Sequence, residues 1–172
     1  MTEPRIRDAT MEDAEALLAI YRPFVANTFV SFEVEAPSVA EFRQRIDHAL
    51  ERWAWIVAEQ GGRPVGYAYG TAHRPRSAYQ WSVETSVYVD DGHRGMGIGK
   101  RLYARLMPIL ADKGYCNAYA GITLPNEASI ALHRSVGFVP VGVFRRVGHK
   151  FGAWHDVSWW HLPLREDPPP NP

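Results

Sequence analysis

The stretch Asp91-Gly92-His93-Arg94-Gly95-Met96-Gly97-Ile98-Gly99-Lys100-Arg101 constrains this chain more than any other. It follows a run, Tyr79 to Val89, in which side chains alternate at the period of a strand. It precedes Ile98, Leu102, Leu106 and Leu110, whose four-residue spacing lays one apolar stripe along a helix. Gly114 stops that helix, and a second strand-like run, Tyr115 to Gly121, follows. Strand, helix and strand in this order form a βαβ unit with parallel pairing. Elsewhere Gly61-Gly62, set between Ala54 to Glu59 and Val65 to Thr71, signals an antiparallel hairpin. The expected fold class is therefore α/β with a mixed sheet, completed by strands at Val139 to Val147 and Trp154 to Leu162.

Further helices have their own start signals. Thr10 with Asp13 resembles a capping box, and the helix it opens is expected to run to about Tyr21, before Pro23. Ser38 and Glu41 form a stronger box ahead of Phe42, Ile46 and Leu50, with an end near Arg52. Asn126 caps a short helix that Gly137 ends. Pro108 conflicts with the glycine-loop helix: an interior proline costs about 3 kcal/mol, which predicts a kink or local break near Ala104 to Pro108. Residues 1–166 read as a single domain, with 167–172 as a disordered Pro-rich tail.

Composition excludes several classes of function. Nineteen basic residues balance nineteen acidic ones, so no global field draws the chain to nucleic acid or to an anionic membrane. No apolar run approaches the length of a membrane span, and the charged N-terminus is unlike a signal peptide. The lone Cys116 reads as a buried inert thiol in a strand, in keeping with a reducing cytoplasm. His73, His149, His155 and His161 show no metal-ligand spacing, and no metal is expected. Trp154, Trp159 and Trp160 read as sheet or dimer packing.

Two known phosphate loops fail on the glycine stretch. A nucleotide P-loop would need glycine at Arg94 and a hydroxyl residue at Arg101; a dinucleotide loop would need glycine at Lys100. The cations themselves carry more information. Arg94, Lys100 and Arg101 crowd the positive end of a helix, an arrangement that an anion, most simply a phosphate, would relieve. The rival reading is a solvated basic turn whose glycines serve only loop geometry.

The pattern Arg94-x-x-Gly97-x-Gly99, between a long strand and a helix, resembles the pyrophosphate loop of the GNAT acetyltransferase superfamily. Downstream, Asn126-Glu127-Ala128-Ser129 through Gly137-Phe138 resembles that superfamily's second acetyl-CoA segment. The stretches NAYAGITLPNEASIALHRSVGF, VGHKFGAWHDVSWW and Tyr79 to Val89 are similar to the phosphinothricin and methionine sulfone (sulfoximine) acetyltransferases, from Arg5 to Leu164. The resemblance implies acetyl-CoA-dependent N-acetylation of a small amino acid, commonly by a cytoplasmic homodimer. It also implies a twisted mixed sheet flanked by helices, its central parallel strands splayed around the pantetheine arm. A protein N-terminus or a polyamine is the alternative acceptor, and a non-catalytic acyl-CoA sensor is the rival from another class.

Residue roles follow from the same resemblance. The backbone of Val87, Tyr88 and Val89 would pair with pantetheine, and Arg94, Gly95, Met96, Gly97, Ile98, Gly99 and Lys100 would hold the pyrophosphate. Alternation puts Glu84, Ser86 and Tyr88 on the strand face opposite Val83, Thr85, Val87 and Val89. Glu84, three residues before the cofactor-binding backbone, is placed to act as general base, because an ammonium has no lone pair until it loses a proton. Asn126, Ser129 and His133 form a polar stripe that should face water or a ligand. Asn126 and Ser129 would contact the cofactor. His133, standing where many members have a tyrosine, reads either as an imidazolium acid for the departing thiolate or as a plain solvated residue. The acceptor set is Arg74, Pro75, Arg76, Glu84, Thr85 and Ser86, with an arginine fork for a carboxylate and a wall from Phe32 and the C-terminal strand.

Overall fold

The structure is a computed structural model, and it describes residues 3–166. The tail expected at 167–172 lies outside the described residues. Seven strands form one sheet: β1 (Arg5–Asp8), β2 (Trp55–Gln60), β3 (Arg63–Ala72), β4 (Ser82–Val89), β5 (Asn117–Thr123), β6 (Val139–Lys150) and β7 (Ala153–Pro163). Their order is β1-β2-β3-β4-β5-β7-β6. Among the described residues only β4 and β5 pair in parallel; the other neighbours are antiparallel. The glycine-loop βαβ unit is thus the parallel centre of a mixed sheet, and Gly61-Gly62 joins β2 to β3 as expected.

The helices are α1 (Ala14–Asn27), α2 (Val39–Arg52), α3 (Ile98–Asp112) and α4 (Glu127–Val136). Phe42 of α2 and Tyr21 of α1 pack into the aromatic face made by Trp55, Tyr67 and Tyr88. On the opposite face Gly66 and Gly70 of β3 approach Ile98 and Leu110 of α3. The buried core contains Leu17, Ile46, Tyr67, Leu102, Leu106 and Leu110. The Ser38 box forms as read, with Ser38 accepting from the Glu41 amide at 3.2 Å and its own amide donating to Glu41 at 2.7 Å.

Two expectations about proline are corrected. α1 continues through Pro23 to Asn27, and α3 runs without a break through Pro108. In each case the proline and the residue four before it, Ala19 or Ala104, are exposed, so water can serve the carbonyl left without a donor. The buried stripes on the other side of each helix hold it in place. The run from Tyr79 is also shorter than expected as a strand: Ser77–Tyr79 is a 3-10 turn and β4 begins at Ser82. Cys116 is buried just before β5 rather than inside it.

Candidate active site

Parallel pairing between β4 and β5 covers only Ser82 with Asn117, Val83 with Ala118 and Glu84 with Tyr119. Beyond Glu84 the strands part: β4 continues against β3 alone and β5 against β7 alone. The edge of β4 from Thr85 onward therefore opens into a cleft of about 460 Å³ between the glycine loop and α4. Val87, Val89, Arg94, Gly95, Gly97, Ile98, Gly99, Lys100, Asn126 and Ser129 line it. The Tyr88 ring turns to the other face against Tyr21 and Phe24, and Met96 is exposed outside the lining.

Local geometry at the loop explains two of its glycines. Gly97 caps α3 at φ 74°, a left-handed conformation costly for other residues, and it brings no side chain to cap the helix. The first-turn amides of α3 consequently face the cleft, the arrangement that binds phosphate oxygens. Gly99 has a packing role, because a Cβ there would lie 2.7 Å from Leu132 Cδ2 of α4. The cation cluster is looser than the sequence suggested. Arg94 pairs with Asp91 at 3.0 Å and lies over Phe24, and Arg101 pairs with Glu3 at 2.9 Å, which leaves Lys100 as the loop cation lining the cleft without an ion pair among the described residues.

The uncapped helix start, the unpaired edge of β4 and Lys100 together fit a chain that carries amides along its length and a diphosphate at its end. That is the chemistry of coenzyme A.

Glu84 stands at the last parallel pair, on the face of the sheet that carries Tyr119 and Tyr69. It lines a separate cleft of about 290 Å³ together with Thr85, Ser86, Val30, Phe32 and Trp159. Burial raises its carboxyl above the ordinary 4.5, while His73 and Arg74 pull it back down. Glu84 Oε1 lies 3.0 Å from His73 Nδ1, a contact that the spacing of the histidines did not reveal. Register was the available signal: with Thr71 opposite Glu84, the residue two positions on from Thr71 falls beside the carboxylate.

His133 requires a correction. Its ring does not face water; it is buried, with Nδ1 donating to the Ser129 carbonyl at 2.7 Å and Nε2 accepting from the Tyr103 hydroxyl at 3.0 Å. Burial lowers its pKa below 6.5, against the Ser129 bond that raises it, and so favours the neutral imidazole. The solvated reading is thereby excluded; the buried ring instead lines a small cavity of about 60 Å³ with Thr85, Ser86, Asn126 and Ser129. Asn126 does cap α4, accepting from the Ser129 amide at 3.1 Å.

Arg74, Pro75 and Arg76 lie on the exposed segment after β3 and border another hollow, of about 480 Å³, between the ends of α2 and α3. The sequence grouped them with Glu84 in one acceptor set. The structure brings His73 to Glu84 and Arg74 within electrostatic reach of it, while Pro75 and Arg76 belong to the neighbouring hollow.

A sheet parted at one parallel pair, beside an open helix N-terminus and a half-buried carboxylate, is an arrangement that a thioester of coenzyme A fits. Residues 6–159 match the acetyltransferase (GNAT) domain, and the chain belongs to that family; it is an N-acetyltransferase. It is 35% identical over 97% of its length to the phosphinothricin N-acetyltransferase of Streptomyces viridochromogenes, covering 91% of that protein. It is 36% identical over 92% of its length to the L-methionine sulfoximine/L-methionine sulfone acetyltransferase of Pseudomonas paraeruginosa, covering 94% of it. The crystal structure of a phosphinothricin acetyltransferase from Sinorhizobium meliloti in complex with acetyl-CoA superposes with a TM-score of 0.93 at 34% identity, covering 98% of this chain and 94% of that one.

Proposed function

We propose that this enzyme transfers an acetyl group from acetyl-CoA to the α-amine of a small amino acid analogue, of the kind represented by phosphinothricin, methionine sulfoximine and methionine sulfone. The observation that carries the reading is the placement of Glu84: a half-buried carboxylate in a cleft of its own, at the residue where the cofactor-sized split in the sheet begins. The names of the relatives support the acceptor class.

Val87 and Val89 offer backbone groups to the pantetheine amides, while the first-turn amides of α3 and Lys100 hold the diphosphate. Bound there, acetyl-CoA supplies a thioester carbonyl and a thiolate leaving group, which departs more readily than an alkoxide or an amide anion would. Glu84 accepts a proton from the acceptor ammonium, leaving a lone pair on nitrogen that forms the C–N bond; as the C–S bond breaks, the nitrogen gives up a second proton, which ends on the departing thiolate. Arg74 is the cation assigned to the acceptor carboxylate, with Pro75 and Arg76 shaping its segment, and Phe32 and Trp159 wall the cleft.

The enzyme is proposed to act as a homodimer. β6 is an edge strand that exposes Val139, Val141, Val143, Phe144 and Val147, an apolar strip of the kind a second copy would cover. A cytoplasmic setting is in keeping with the single buried thiol.

Thiol release from acetyl-CoA across phosphinothricin, methionine sulfoximine, methionine sulfone and a polyamine tests the reading. Turnover is expected on the amino acids, and Glu84→Gln is expected to lower kcat by roughly 10²- to 10⁴-fold with acetyl-CoA binding kept. Turnover on the polyamine alone, or cofactor binding without turnover on any amine, would overturn it.

A further inference from the structure

We propose that His73 is the positioning residue of the catalytic base, holding Glu84 Oε1 through Nδ1 so that Oε2 faces the acceptor nitrogen. This rests on the reading of Glu84 as the base. The two side chains come from different strands, 11 residues apart in sequence, and meet at 3.0 Å. Among the described residues, no other group hydrogen-bonds to the carboxylate.

The His73 ring is itself immobilised. It stacks on Tyr119 with centroids 4.7 Å apart, and it meets Tyr79 and Trp159 edge-on at 5.7 and 6.1 Å. Tyr119 is backed on its other side by His161, at 4.9 Å, whose Nε2 is anchored 2.8 Å from Asn117 Oδ1. Tyr119 is also the parallel-register partner of Glu84. The imidazole is thus clamped by the strand that pairs with β4 at the last point before the sheet splits. A carboxylate on a mobile stem would sample many orientations in a cleft of about 290 Å³; one oxygen tied to a clamped ring samples few.

The same contact sets the charge state of the base. Around the Glu84 carboxyl stand His73 and Arg74 from the segment after β3, Tyr69 from β3 and Tyr119 from β5. Burial favours the protonated acid, and His73 and Arg74 oppose it, so removing His73 leaves a base that ionises only at higher pH.

The test compares His73→Phe, which keeps a ring to stack on Tyr119, with His73→Asn, which returns a donor near the Nδ1 position. Activity on phosphinothricin or methionine sulfone is followed across pH. His73→Phe is expected to lose roughly 10- to 100-fold in kcat with acetyl-CoA affinity unchanged. Its acid limb in kcat/KM should move to higher pH by about half a unit or more, and His73→Asn should recover part of both effects. A His73→Phe enzyme with the wild-type rate and pH profile would overturn the proposal while Glu84→Gln still reported on the base. Loss of acetyl-CoA binding or of the folded state in both variants would make His73 a structural residue and overturn it too. A Glu84→Gln enzyme as fast as wild type would instead remove the base reading on which the proposal rests.

Discussion

The Tyr103 hydroxyl donates to His133 Nε2 at 3.0 Å, inside the protein, because the other imidazole nitrogen is already committed to the Ser129 carbonyl. The pair ties α3 to α4 just behind the split between β4 and β5. Protonating the imidazole would reverse the Tyr103 bond, with Nε2 donating to the hydroxyl oxygen, and would place a charge in a buried site. The folded-state pKa lies below 6.5, so the unfolded chain takes up the proton first as pH falls. Stability is complete above pH 6.5 and declines below it. Denaturation at pH 7.5 and 5.5 should show this loss in the wild type, and His133→Gln should reduce the dependence while lowering stability by about 1–3 kcal/mol.

Gly99 should be intolerant of even one added carbon. A Cβ at this position meets Leu132 Cδ2 at 2.7 Å, so Gly99→Ala must displace the Leu132 side chain that joins α4 to the start of α3. Overpacking of this kind costs about 1–3 kcal/mol. Because Asn126 and Ser129 ride on α4, weaker acetyl-CoA binding should accompany the lower melting temperature. Titration calorimetry and thermal melting of the same variant check both.

Lys150 couples the far end of β6 to the wall of the cleft that holds Glu84. Its ammonium is buried and donates to the carbonyls of Val25, at 2.7 Å, and Ser31, at 2.8 Å. The first of these lies near the C-terminus of α1, where a cation is favoured. The segment it pins carries Val30 and Phe32, both of which line the cleft containing Glu84. Lys150→Met keeps the stem and removes the donor. We expect it to cost about 1–3 kcal/mol and to raise the acceptor KM several-fold, with the acetyl-CoA KM little changed. Steady-state kinetics with each substrate varied in turn separates the two.

The β6 edge supplies a prediction about assembly. Val141 is 62% exposed in the middle of an apolar strip on an unpaired edge. Val141→Asp places a charge there and should shift the protein from dimer to monomer in analytical ultracentrifugation. A wild type that sediments as a monomer would exclude the dimer.

Much of the fold was legible because its signals are local. The cap at Ser38, the stops at Gly114 and Gly137, the turn at Gly61-Gly62 and the glycine loop each act within a few residues, so their consequences can be read in order along the chain. The prolines were misjudged for a related reason. A penalty for Pro23 or Pro108 can be read from sequence, but which side of the helix meets water is decided by what packs against the other side. β1, only Arg5–Asp8, was missed because so short a run has no periodicity of its own. It exists as a strand through its pairing with β2.

For the site, sequence alone determined the loop that can receive a diphosphate, the alternation that sets Glu84 apart from Thr85, and the caps that start α2 and α4. Tertiary structure alone decided that His73 meets Glu84, that His133 turns inward to Tyr103, and that Arg76 borders a different hollow from Glu84. These pairs are 11 and 30 residues apart, brought together by strand register and helix packing. Backbone conformation is governed mainly by neighbours along the chain, whereas the protonation state of a side chain is governed by neighbours in space.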